Sequence, residues 1–224
     1  MKKNSAAAGA DIVSVTDIAD WLRDRIRRGR FVAGQRLIEA DIVRDTGASR
    51  SRVREAIQRL EMEGLLVLEE FRGASVKGFS ADELRQIYRT RMALEGMAAH
   101  DCALLGSAAH KAELARLQEE LNSCEHTVDH DRFARLNDAW HQQIIQGAGN
   151  AYIQTFLERL RVPIYRLFFT TFYKADRIDA ANAGHRLITA AIVKGDAGEA
   201  ERLMRAHVEE GLTAVLTLED EFRR

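Results

Sequence analysis

The chain has one proline and two cysteines in 224 residues, and the cysteine scarcity closes off two classes of site. Cys102 and Cys124 are too few for a disulfide framework or a thiolate metal site. A reduced, cytoplasmic setting is the simplest expectation. With Pro163 the only proline, long helices meet few breaks. No apolar run approaches the roughly 20 residues that a membrane span needs. The opening MKKNSAAAGADIVS lacks the apolar core of roughly 7–15 residues that marks a signal peptide. Residues 1–10 therefore read as a disordered lead-in. Hydrolase and nucleotide-binding signatures are missing too: there is no H-E-x-x-H helix, nucleophile elbow or phosphate loop.

The chain also lacks net charge, at −1, but the charge is unevenly placed. Residues 1–80 hold 15 Lys and Arg against 12 Asp and Glu, whereas the remainder holds 18 against 22. Local basic charge is what neutralises phosphates, so the total is a poor test for nucleic-acid binding. The split predicts two domains with different partners, 11–79 and 80–224.

The segment from Gly34 to Lys77 carries the basic signal. Apolar residues at Leu37, Ile38, Ile42 and Val43, then at Val53, Ile57, Leu60 and Leu65, predict two short amphipathic helices on a shared core. Between them lies Asp45-Thr46-Gly47-Ala48, a turn with Gly where a left-handed backbone is cheapest. Ser49 reads as the N-cap of the second helix. Arg50, Ser51, Arg52 and Arg54 crowd that helix's first turns, against the macrodipole's preference for acids there. An anionic partner at that end resolves the conflict, because helix-turn-helix proteins reach base edges from this position. Leu65–Leu68 and Ala74–Lys77 read as strands of a hairpin, the wing of a winged helix, with Arg72-Gly73 at or near its tip. Upstream, Val15 to Arg30 reads as a helix with Thr16 or Asp17 near the cap and Ile18, Leu22 and Ile26 on one face.

The string GxxLxEADIVRxTGxSRSRVREAIxRLExEGLLxxxxxRGAxV closely resembles the winged-helix domain of the GntR family of bacterial transcription regulators. Carried over by position, the resemblance implies DNA contacts at Ser49, Arg50, Ser51 and Arg54, with the wing tip at Gly73. Where the family often has a basic residue in the first helix of the motif, this chain has Glu39-Ala40-Asp41. Phosphate contacts are then expected from Arg36 or Arg44 instead.

Beyond Gly78-Phe79-Ser80 the pattern is helical throughout. Ser80-Ala81-Asp82-Glu83 has the S-x-x-E form of a capping box. Spans near 80–104, 107–125, 128–147, 150–173, 177–195 and 197–218 follow, with breaks at Gly106-Ser107, His126-Thr127, Gly147–Asn150 and Gly195-Asp196. Pro163 is expected to kink or split the fourth. The fold class is thus mainly α: an N-terminal winged helix-turn-helix followed by an antiparallel bundle of about six helices.

Three histidines of the bundle sit among apolar residues at helical spacing. Asn137 and His141 are four apart, so both leave the same helix face; His185 and His207 lie on the last two helices. Three imidazoles and an oxygen ligand meeting in a core suit a divalent ion such as Zn²⁺ or Ni²⁺. A lone interior histidine is more commonly a hydrogen-bonded core residue. His100, His110, His126 and His130 read as surface or helix-end residues.

RMALEGMAA, NDAWHQQIIQGAGN, GHRLITAAIVKGDAGEA and MRAHVEEG resemble successive signatures of the FCD ligand-binding domain of many GntR regulators. The resemblance implies metal ligands at Asn137, His141, His185 and His207, with Asn standing where Asp is usual or Asp138 substituting. It also implies that Arg91 meets the carboxylate of an effector; the alternative is an ion pair with Glu95, one helical turn on. The function expected is a homodimeric, cytoplasmic regulator of a double-stranded DNA operator, probed by a small carboxylate effector and not by a membrane. Metal-free ligand binding by the same histidines, or a metal-dependent enzyme fused to a DNA-binding domain, are the alternatives.

Overall fold

The structure, a computed structural model, describes residues 13–27, 30–125, 129–160 and 177–222. The lead-in at 1–10, the break at His126-Thr127 and the segment containing Pro163 lie outside the described residues. The chain divides into two compact units, Met1–Gly78 and Phe79–Arg224.

The first unit contains α1 (Val15–Arg27), β1 (Arg36–Leu37), α2 (Glu39–Thr46), α3 (Arg50–Met62), β2 (Leu66–Glu69) and β3 (Gly73–Val76). Its strands form an antiparallel sheet in the order β1-β3-β2. Ile18, Leu22 and Ile26 of α1 are buried, as their spacing predicts, beside Ile42, Val53, Ile57 and Leu60. Each such side chain contributes about 1.5–3 kcal/mol by leaving water.

Four local readings are corrected by the structure. Ser14, not Thr16 or Asp17, caps α1: the Asp17 amide donates to Ser14 Oγ (3.1 Å) and the Ser14 amide donates to Asp17 Oδ2 (2.9 Å). Leu37 belongs to a strand and not to the first motif helix, because β1 pairs with the wing through Arg36↔Ser75 and Leu37↔Ala74. Ile38 becomes the N-cap of α2 and is exposed. The wing turn is Glu70-Phe71-Arg72, while Gly73 already pairs with Glu69 in the ladder. Phe71 is 95% exposed at this tip with φ of 62°, a left-handed backbone that a bulky residue seldom adopts.

The second unit is helical: α4 (Ala81–Leu105), α5 (Ala108–Asn122), α6 (His130–Gly147), α7 (described over 151–160), α8 (Arg177–Lys194) and α9 (Ala197–Phe222). The predicted capping box forms, with Ser80 Oγ accepting from the Glu83 amide and Glu83 accepting from the Ser80 amide. Ser107 Oγ accepts from the His110 amide to cap α5, and Asp129 Oδ1 accepts from the Arg132 amide to cap α6. α4 packs extensively along α9 and also meets α6 and α8. No described helix is long and apolar enough to cross a membrane.

Candidate functional site

On the first unit, the turn before α3 holds Gly47 at φ of 70°, its amide donating to the Val43 carbonyl, which swings the chain from α2 into α3. Ser49 takes the N-cap position, as read from the sequence. Its hydroxyl makes no capping bond; it lies 3.1 Å from the Ser51 hydroxyl instead. The first amide groups of α3 therefore have no side-chain cap from Ser49. Arg50 and Arg54 are exposed and Arg52 is half-buried, while Val53, Ala56, Ile57 and Leu60 hold the opposite face in the core.

Glu39 of α2 engages Arg54. Arg54 Nε donates to both carboxylate oxygens, at 2.9 and 3.1 Å. Both partners are exposed, and such pairs contribute about 0–1 kcal/mol. A bidentate arginine–base contact is worth about 1–3 kcal/mol, so Glu39 can yield Arg54 to DNA. Arg44 is tied to Asp41 and Asp45, whereas Arg36 is exposed on β1. At the wing, Arg72 pairs with Glu69 at 3.3 Å.

In the second unit, α6, α8 and α9 bring His141, His185 and His207 together, each offering one ring nitrogen such that all three lie within 4.8 Å of one another. The Nε2 atoms of His185 and His207 are 3.1 Å apart. Two nitrogens bound to one ion by bonds of roughly 2.0–2.1 Å stand at about that separation. The same spacing serves a hydrogen bond between the rings, but such a pair leaves the third imidazole and Asn137 unexplained. Asn137 is buried one turn before His141, and its Oδ1 has no hydrogen-bond partner. Asn137, not Asp138, is thus the inward-facing residue of α6; Asp138 is half-buried and does not join the cluster.

Burial, and after it the neighbouring imidazoles, holds His185 and His207 well below the ordinary histidine range. Both rings are therefore neutral, the form that offers a lone pair to a metal. Trp140 lies over His185 with ring centres 4.4 Å apart, and Phe133 stacks on His185 at 6.2 Å. Gly184 makes room for His207: a Cβ there would lie 2.9 Å from its Nδ1. The residues present fit a divalent cation.

Arg91 makes the ion pair that its spacing allowed. Its Nε donates to Glu95 Oε1 at 2.7 Å, and its guanidinium lies 4.9 Å from the centre of the Tyr88 ring. Sequence reasoning weighed Glu95 only as a salt-bridge partner. Yet its other oxygen, Oε2, lies 2.9 Å from His141 Nδ1. Burial alone would push the Glu95 carboxyl up; Arg91 and His141 outweigh that and hold it down, at about 2. The available signal was a lone acid in RMALEGMAA, flanked by small and apolar residues.

A second buried chain of polar groups went unforeseen. Trp140 Nε1 donates to Thr189 Oγ1 (2.9 Å), Thr189 to Gln118 Oε1 (3.2 Å), Gln118 Nε2 to Asn182 Oδ1 (2.8 Å), and Asn182 Nδ2 to Glu125 Oε1 (2.8 Å). The other histidines stand apart from the centre among the described residues. His100 and His110 are half-buried on α4 and α5, His130 begins α6, and His126 lies outside the described residues.

A winged helix-turn-helix with arginines at the head of its second motif helix, and a separate helical unit with a buried histidine centre, define a two-part bacterial DNA-binding regulator. The chain belongs to the gntR family of bacterial regulatory proteins, whose model matches residues 15–76, and carries an FCD domain at 86–210. It is a transcription regulator. It is 27% identical over 190 residues to the HTH-type transcriptional regulator YdhC of Bacillus subtilis, covering 83% of this chain and 84% of that one. It is 26% identical over 196 residues to the HTH-type transcriptional repressor GlaR of Escherichia coli, covering 84% and 89%. The gluconate operon transcriptional repressor of Bacillus subtilis is 29% identical over 151 residues, 67% of this chain and 61% of that one. Among solved structures, Escherichia coli McbR/YncC shares the fold with a TM-score of 0.79 at 19% identity, over 92% of this chain and 98% of that chain.

Proposed function

We propose that this regulator is a homodimeric repressor whose operator affinity is set by a small organic acid bound beside a divalent metal ion in the helical unit. Two copies of α3 enter successive major-groove segments of an inverted repeat. Arg50 and Arg54 contact guanines or phosphates, with Arg52 on the backbone, while Ser49 and Ser51 seat the helix. Arg72 and the wing around Gly73 follow the minor groove. The repressing sense rests on the relatives named repressors.

In the second unit, Asn137, His141, His185 and His207 hold the ion, zinc or nickel fitting a set of imidazoles and one amide oxygen. The ion supplies a positive centre that an acid's carboxylate can ligate. Its protein ligands are neutral, and Arg91 and Glu95 offset one another, so the loaded centre remains positive and selects anions. Arg91 binds the acid's carboxylate, which must share the guanidinium with Glu95 or displace it. The acid alters DNA binding only to the extent that it prefers one arrangement of the protein, and the joint at Gly78–Ser80 is where those arrangements differ.

The observation that carries this reading is the convergence of three buried imidazoles within 4.8 Å. Elemental analysis of purified protein beside the His141→Ala/His185→Ala double variant tests it. Zinc or nickel near one per chain, absent from the variant, is the expected result. Thermal-shift screening of dicarboxylates, sugar acids and aromatic acids, with and without chelator, then finds the ligand class through a raised melting temperature. Acid binding that survives the chelator unchanged would leave the histidines as direct ligand contacts and overturn the metal's part.

A further inference from the structure

Glu95 is 4% exposed in the middle of α4, and among the described residues it is the one buried acidic side chain. Its two oxygens face different partners. Oε1 accepts from Arg91 Nε at 2.7 Å, and Oε2 lies 2.9 Å from His141 Nδ1. The second approach is close but bent away from a straight hydrogen bond. Glu95 does not join the group of side chains whose donor atoms converge within 4.8 Å; that group is the three imidazoles. It therefore stands one layer out, against a ligand and not at the meeting point.

A neutral imidazole carries one proton on two nitrogens. Whichever nitrogen donates to an outside acceptor leaves its lone pair on the other. Glu95 is the buried carboxylate in contact with this cluster.

We propose that Glu95 is a positioning residue of the histidine centre: Oε2 accepts the Nδ1 proton of His141, which fixes Nε2 as the nitrogen turned toward the metal, while Arg91 holds the carboxylate by Oε1. This role rests on the metal-binding reading above. Arg91 then serves two carboxylates, that of Glu95 and that of an incoming acid, so the acid site and the metal site share one hydrogen-bonded chain.

Zinc alone, titrated into full-length apoprotein against a competing fluorescent chelator, provides the test. Outer partners of this kind change metal affinity about 10–100-fold, and Glu95→Gln is expected to weaken zinc binding by that factor with helix content unchanged. The visible spectrum of the cobalt form should shift in parallel, which loss of packing alone would not produce. In zinc-loaded wild type, long-range proton–nitrogen NMR should find His141 protonated on Nδ1. Equal zinc affinity and an unchanged cobalt spectrum in Glu95→Gln would overturn the role while leaving the metal centre standing. A wild-type His141 proton on Nε2 would overturn it even if the variant fails to fold. Wild-type protein that takes up neither zinc nor cobalt removes the metal reading itself, and this role with it.

Discussion

The two units put their polar chemistry on opposite sides of their cores. In Met1–Gly78 the buried side chains among the described residues are apolar, and Arg50 and Arg54 at the head of α3 sit outside, Arg54 held by an exposed pair to Glu39. In Phe79–Arg224 the order is reversed. All the buried polar and charged side chains identified, among them Glu95, Gln118, Asn137, Asn182 and the three histidines, lie in this unit. An outside site can be assembled without disturbing the packing beneath it. An inside site must satisfy every polar atom it buries, or leave atoms waiting for a partner. The difference teaches where a ligand is wanted: around Asn137 and the histidines, where buried atoms still wait.

The largest expected effect that would break this contrast is Trp140→Ala. Trp140 is fully buried, covers His185 and donates to Thr189. Its loss should cost about 3–5 kcal/mol in urea unfolding followed by circular dichroism. A change below about 1 kcal/mol would mean that the polar centre is not built on this ring. Next comes one chemical change made in each unit. Gly184→Ala drives a methyl against His207 and should cost about 1–3 kcal/mol while also weakening zinc binding. Gly47→Ala meets open space but keeps φ of 70°, so about 1–2 kcal/mol of backbone strain is expected, with zinc binding unaltered. Equal zinc affinities in the two variants would contradict the crowding at His207.

Much of the first unit was legible in its sequence. A single period of apolar residues against solvent fixes α1 and α3, and the Arg run at the head of α3 conflicts openly with the helix dipole. The two-residue strand β1 was not legible, because two residues carry no period and β1 exists only through its pairing with β3. In the second unit, the inward faces of His141, His185 and His207 followed from their apolar neighbours. Gln118, Asn182 and Thr189 did not, since a polar residue at a helical core position looks like a solvated one until its partner on another helix is known. Glu95 was hidden for the same reason, behind the easier reading of an i,i+4 pair with Arg91.

Smaller effects sharpen the comparison further. Arg54→Ala should weaken binding to a DNA fragment selected from a random pool by the wild-type protein, by roughly the 1–3 kcal/mol of one base contact. Fluorescence anisotropy at fixed salt measures it, and zinc affinity should stay at the wild-type value. Undiminished DNA affinity would remove Arg54 from the reading face. The smallest signal is chemical. Burial pushes the Cys102 thiol up to about 11, above the ordinary thiol range. At pH 8 only about one thiol in a thousand is then the reactive thiolate, and alkylation of native protein should be slow there and accelerate as the pH rises toward 11. Rapid labelling of Cys102 at pH 8, read by mass spectrometry, would show that α4 opens at that point.

The hydrogen-bonded chain from Trp140 through Thr189, Gln118 and Asn182 to Glu125 joins side chains of α5, α6 and α8 with the turn after α5. Apolar faces made of alanine and isoleucine tolerate sliding, because one methyl group replaces another at little cost. These links do not. Displacing one helix by a single residue, about 1.5 Å, would strand several buried donors and acceptors at once, each costing about 1–3 kcal/mol. The chain acts as an index pin: it gives three neighbouring helices one permitted alignment, and so holds Trp140, and the imidazole beneath it, to a fixed address in the core.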